Sequence, residues 1–123
     1  ATVLATQAEM ETGTALTSFV TPGRTQYHPG VAKAWCQIAV AGTLNSPDYG
    51  IATIGDTGTG DRDINYTTAF SSTVYSAAGI TNNLAYILMH TPATADIQMI
   101  VRLIADNSAS DQLSYQVWHG DQS

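Results

Sequence analysis

The feature that most constrains this chain is a repeated alternation of apolar and polar side chains with a period of two, interrupted by clusters of Gly, Asn, Asp, Pro and Ser. Such alternation seats apolar groups on one face of a pleated strand and does not fit a helix, whose side chains repeat every 3.6 residues. The first run puts Ala32, Ala34, Cys36, Ile38 and Val40 on one face and Lys33, Trp35 and Gln37 on the other. Further runs cover residues 50–55, 63–70, 73–80, 84–90, 97–105 and 113–119. In one of them Ile64, Tyr66, Thr68 and Phe70 form a dry face against Asp63, Asn65, Thr67 and Ala69. About seven strands at this spacing predict an all-β fold, an antiparallel β-sandwich. Residues 84–89 and 99–104 are largely apolar on both faces. A two-layer sandwich covers only one face of each strand, so the second face is expected to be a subunit interface. Phe19, Trp35, Tyr86, Met89 and Ile100 are the interface candidates.

At 123 residues the chain has room for one core and a short appendage. Charged residues make up 11% of it, against roughly 25% in an ordinary globular domain, so the surface is polar without being charged. The formal charge of −6, with Lys33, Arg24, Arg62 and Arg102 as the only basic side chains, leaves no stripe to neutralise phosphates, and nucleic-acid binding is not expected. No apolar run approaches the ~18 residues of a membrane span, and the first residues lack the basic-then-apolar order of a signal peptide, so membrane insertion is not expected. The single cysteine, Cys36, excludes an intrachain disulfide and a cysteine-based zinc cluster. Packing must hold the fold, and for a domain this small oligomerisation is expected to help.

The first residues read differently. Thr6-Gln7-Ala8-Glu9 is a capping box, and Gly13 supplies a left-handed stop, which predicts a helix over 7–12. A helix this short is unstable without neighbours. Phe19-Val20-Thr21 should be extended before Pro22-Gly23 turns the chain. The expected organisation is a neck over residues 1–29 and a sandwich head over 30–123.

Ala5-Thr6-Gln7-Ala8-Glu9-Met10-Glu11-Thr12-Gly13-Thr14, followed by Phe19-Val20-Thr21-Pro22, resembles the ATxAExxxGT…(F/Y)VTP segment of phage and prophage tail fibres, which leads from shaft to terminal head. Tyr27-His28-Pro29-Gly30-Val31-Ala32-Lys33-Ala34-Trp35 and Gly58-Thr59-Gly60-Asp61, with Thr67-Thr68-Ala69 beyond, are similar to landmarks of a family of fibre C-terminal domains. The resemblance implies a trimeric β head at the distal end of a virion fibre, joined to the rest of the shaft, whose loops touch the host.

Asp56-Thr57-Gly58-Thr59-Gly60-Asp61-Arg62-Asp63 holds three carboxylates among glycines, a set that suits Ca²⁺. The alternating ligands and bidentate Glu of an EF-hand are missing, so the segment reads as a hairpin turn. His28, His90 and His119 are too far apart for a local metal motif, although His28 could meet its copies on a trimer axis. Asp56, Asp61 and His28 are thus the only metal candidates, and no cofactor is expected. Cys36 falls on the apolar face of its run, where it reads as a small core residue, and no GxSxG elbow exists. The head's acids are aspartates in turn-like segments, so no enzymatic activity is expected.

The remaining candidates are receptor contacts. Residues 42–50 read as the longest Pro- and Gly-punctuated loop of the head, where binding groups concentrate. Asn45 and Asp48 offer groups for sugar hydroxyls, while Tyr49 offers a ring face; Trp118 and His119 form a second such pair. The expected function is a homotrimeric fibre tip that attaches a virion to a host cell-surface glycan of lipopolysaccharide or capsule type. The alternatives are a purely structural trimerisation cap and a polysaccharide-degrading enzyme, the latter normally a much longer β-helix.

Overall fold

The computed structural model describes residues 3–122 as two antiparallel four-stranded sheets packed face to face, the expected all-β sandwich. The strands are β1 (Ala34–Ile38), β2 (Leu44–Tyr49), β3 (Ile51–Gly58), β4 (Asp61–Tyr66), β5 (Ser76–Thr81), β6 (Ala85–His90), β7 (Asp96–Leu103) and β8 (Ser114–His119). The first sheet has the order β2-β1-β8-β5 and the second β3-β4-β7-β6. The chain therefore passes between sheets at both sides of the sandwich, from β2 to β3 through Gly50 and from β5 to β6 through residues 82–84.

The alternating runs all became strands, with ends displaced by up to four residues. The expected loop over 42–50 did not form: residues 44–49 are β2, the outermost strand of the first sheet. Pro47 is compatible with this position because an outermost strand has one side on which a missing N–H leaves no partner unsatisfied. The strand bulges there. Trp35 pairs with Tyr49 and Gln37 with Asn45, so two steps along β1 span four along β2.

Ala34, Cys36, Ile38 and Trp118 from the first sheet meet Ile51, Ile64, Tyr66, Ile97, Met99 and Val101 from the second, and Phe70 closes one end. Tyr66 stands edge-on to Phe70, Tyr75 and Trp118 at centroid distances of 5.0, 5.9 and 5.8 Å, a geometry favoured by ring quadrupoles. Its phenol donates to the Tyr75 phenol, which donates to the Ala93 carbonyl. Burial pushes the Tyr66 phenol far above its ordinary pKa. Between the sheets the Gln116 amide accepts from the Cys36 thiol at 3.4 Å and donates to the Met99 sulfur at 3.2 Å, which satisfies a polar group that burial would otherwise penalise. Cys36 is buried as expected, and desolvation, aided by Asp48, raises its thiol to about 12.

Asp56–Asp63 forms the expected hairpin, turning at Thr59-Gly60 between β3 and β4. Arg62 is 3% exposed and gathers the segment: its guanidinium pairs with Asp56 at 2.9 Å and Asp111 at 2.8 Å, and donates to the Gly58 and Asp61 carbonyls. The Asp111 carboxyl is held below its usual pKa by the Gly60 N–H it accepts and then by Arg62. A carboxyl depressed on folding contributes stability above its unfolded pKa of about 3.9, and the contribution is lost as pH falls through the folded value. Urea unfolding should therefore show stability dropping below about pH 4, and Asp111→Asn should flatten that drop. Glu9 and Asp106 are depressed as well, so the slope will be reduced and not removed. An unaltered acid limb in Asp111→Asn would count against the Arg62 cluster.

The neck contains α1 (Gln7–Thr12) and the single-turn α2 (Pro22–Thr25). Both halves of the capping box are made, with the Glu9 N–H donating to the Thr6 hydroxyl and the Thr6 N–H to the Glu9 carboxylate. Gly13 closes α1 at φ 65°. Leu4 and Phe19 bridge in parallel, yet Val3, Leu4, Leu16, Phe19 and Val20 are all exposed in the single chain. Lys33 ties neck to head: it is buried, its ammonium donates to the carbonyls of Gln26 and His28, and desolvation depresses its pKa against the pull of Asp121 and Glu11.

Candidate functional site

The outer face of the first sheet gathers residues that the sequence had assigned to different roles. Antiparallel register sets Tyr49, Trp35, Val117 and Ala78 in one row across β2, β1, β8 and β5. Asn45, Gln37, Tyr115 and Ile80 form the next row, and His119 pairs with Ser76 in a third. Residues facing each other across an antiparallel pair project to the same side, so these rows make one surface. Its rings remain available to solvent, with Tyr49 53%, Trp35 41% and Tyr115 40% exposed. None of these residues is Lys, Arg, Asp or Glu.

Polar groups are fixed among the rings. The Asn45 amide donates to the Gln37 side-chain oxygen at 2.6 Å, which orients both amides and leaves Gln37 donors and the Asn45 carbonyl for other partners. Trp35, Gln37, Asn45, Ser46, Pro47 and Tyr115 line an open groove of about 380 Å³. Asp48 is half-buried beside it and close enough to Cys36 to add to the rise in that thiol's pKa. Flat apolar rings beside oriented amides can stack on the C–H face of a sugar and hydrogen-bond its hydroxyls.

Of the five receptor candidates, Asn45, Tyr49 and His119 fall on this face and Asp48 flanks it. Trp118 does not belong there. It is fully buried because β8 alternates and residue 118 shares the inward phase of Ser114 and Gln116. Trp35, expected at a subunit interface, is exposed on this face as the cross-strand neighbour of Tyr49. Of the other interface candidates, Phe19 is exposed on the neck. Met89 packs inward against the core, opposite Met99. Tyr86 and Ile100 lie on the outer face of the second sheet, where the Tyr86 phenol donates to Asn107 and Ile100 sits between Leu88 and Asp61. That face also carries Asp63, Asp96, Gln98 and Arg102. The doubly apolar character read for β6 and β7 thus reduces to a few side chains among charges. Gln37 and Tyr115 were missed, although the alternation places Gln37 in phase with Trp35.

Two of the three metal candidates have other partners. Asp56 pairs with Arg62, the His28 Nδ1 accepts the Gly30 N–H at 3.0 Å, and Asp61 stands on the outer face of β4. Among the described residues no three His, Cys, Asp or Glu side chains are grouped to hold a metal. A second cleft of about 320 Å³, lined by Glu11, Gln26, Tyr27, Lys33 and Asp121, lies where the neck meets the head. Its one ammonium, Lys33, is already taken by backbone carbonyls. No protein-family model matches the chain, and neither a curated protein nor a solved structure matches it.

Proposed function

We propose that this chain is the distal head of a bacteriophage tail fibre, a homotrimer that attaches the virion to a host cell-surface glycan through the outer face of its first sheet. The observation that carries this reading is the charge-free surface of Trp35, Tyr49 and Tyr115 with the Asn45–Gln37 amide pair set among the rings. Trp and Tyr exposed together, with charge excluded, are what a recognition surface needs and an idle surface avoids. The neck supplies the assembly element: its capped helix buries Met10, but Leu16, Phe19 and Val20 stay exposed in the single chain and are covered beside other chains. Three copies of a weak site bind a repetitive surface far more tightly than one, through effective concentration. No catalytic step is part of this reading.

Light scattering should return a mass about three times the 13.0 kDa chain. Leu16→Ser combined with Phe19→Ser should shift the mass toward a single chain while the far-UV circular dichroism of the sandwich persists. A wild-type chain that is monodisperse as a monomer at micromolar concentration would remove the trimer from the proposal.

A further inference from the structure

We infer that the Trp35–Tyr49–Tyr115 face selects uncharged sugars, so that the receptor is a neutral glycan and not an acidic capsule, sialylated chain or phosphorylated lipopolysaccharide core. The inference rests on the attachment reading and narrows it to a ligand class. Its basis is that all four basic side chains of the chain are accounted for elsewhere.

Arg24 lies in the neck over the Tyr27 ring, 5.8 Å from its centroid. Lys33 is buried, with its ammonium on the Gln26 and His28 carbonyls. Arg62 is buried between Asp56 and Asp111. Arg102 projects from the outer face of the opposite sheet and donates to the Asn107 carbonyl at 3.1 Å. An acidic glycan laid on the first sheet would find none of these free to pair: Lys33, which lines a cleft with Tyr49, keeps its ammonium on backbone carbonyls. The Asp48 carboxylate flanks this face, and the net charge of −6 repels polyanions at longer range. Desolvating a sugar carboxylate or phosphate against such a surface is unfavourable, because neutral amide donors alone, with no cation, do not replace the hydration of a full charge. A neutral sugar meets the opposite situation. Its C–H face covers the rings, and neighbouring hydroxyls match one donor from Gln37 and one acceptor from Asn45 across the groove. Selectivity arises from the pairing of oriented amides with excluded charge.

The test is affinity electrophoresis of the full chain through gels containing dextran, mannan or galactan, compared with gels containing alginate, hyaluronan or polysialic acid. Adsorption of the fluorescently labelled chain to a panel of bacterial strains is measured in parallel. Retardation is expected in at least one neutral gel and in none of the acidic ones. Trp35→Ala and Tyr49→Ala should each weaken it about fivefold per site, the effect of removing one stacking ring. Leu88→Ser on the opposite sheet should change nothing, and the melting temperature and trimer mass should hold in all three variants. Should Trp35→Ala not fold, Tyr49→Ala and Tyr115→Ala carry the comparison. Retardation by acidic polymers alone, or neutral binding indifferent to these rings, overturns the inference. So does a fall in oligomer mass in Trp35→Ala, which would make this face a contact between copies. Adsorption to cells without binding of any neutral polymer overturns the neutral-sugar inference and leaves attachment standing. Failure to bind every polymer and every strain overturns both.

Discussion

Trp118→Ala is expected to lower the free energy of unfolding by about 3–5 kcal/mol, the range for removing a large buried aromatic ring. Trp118 has no exposed surface, stands edge-on to Tyr66, and lies on β8 between β1 and β5, so a void there is walled on several sides. Its indole N–H makes no hydrogen bond to a described residue, so the ring contributes through packing. Denaturant titration followed by circular dichroism measures the loss. Fluorescence gives an internal check, because Trp35 is the only other tryptophan and is 41% exposed. Folded Trp118→Ala should therefore emit further to the red than the parent. A loss under about 1 kcal/mol, with impaired adsorption to cells, would mean that Trp118 contacts receptor after all.

Gly50→Ala should be nearly as damaging, at roughly 2–4 kcal/mol, although it adds a single methyl group. Gly50 is the whole connection between β2 and β3, and it adopts φ 73°, a left-handed conformation that side chains resist. A Cβ there would stand 2.4 Å from the Lys33 carbonyl oxygen and 3.0 Å from the Ala34 Cβ. Neither neighbour can yield easily. Lys33 is held at its N–H by the Trp118 carbonyl, and Ala34 is fully buried. Because Gly50 directly follows Tyr49, the substitution should also disturb the ring face. Loss of adsorption alongside loss of stability is the expected pairing. A thermal midpoint within a degree or two of the parent would show that β2 can cross between sheets by another path.

The fold class was legible because alternation is a property of single strands. Ala34, Cys36 and Ile38 announce an inward phase with no knowledge of what they pack against. The N-terminal helix was legible for a similar reason, since a capping box is complete within four residues. Three things were not. Residues 44–49 hid as a loop because Pro47 and the flanking glycines carry turn chemistry, and only the strand's outermost position makes proline harmless there. Trp118 hid in the core because its inward-facing companions on β8, Ser114 and Gln116, are polar and do not mark that phase as the buried one. The site itself was half visible. Asn45, Tyr49, His119 and Trp35 were each singled out, but their convergence depends on β1 lying between β2 and β8, a pairing across about 80 residues of chain that no local pattern encodes. The clamp around Arg62 shares that limit, since Asp111 reaches it from 49 residues away.

Two of the four crossings between sheets, β2 to β3 and β5 to β6, lie at the margins of the sandwich and bear on how densely such domains can be crowded. A flat sheet with a bare outermost strand offers a row of free N–H and C=O groups to any neighbour, and molecules packed side by side then risk fusing into ribbons. Here β2 and β3 lie at one margin and β5 and β6 at the other, each pair joined by a chain segment that steps from layer to layer. At the first margin Pro47 and the bulge interrupt what would otherwise be a regular backbone template. At that margin copies brought close together can thus touch through side chains without annealing through the backbone of β2.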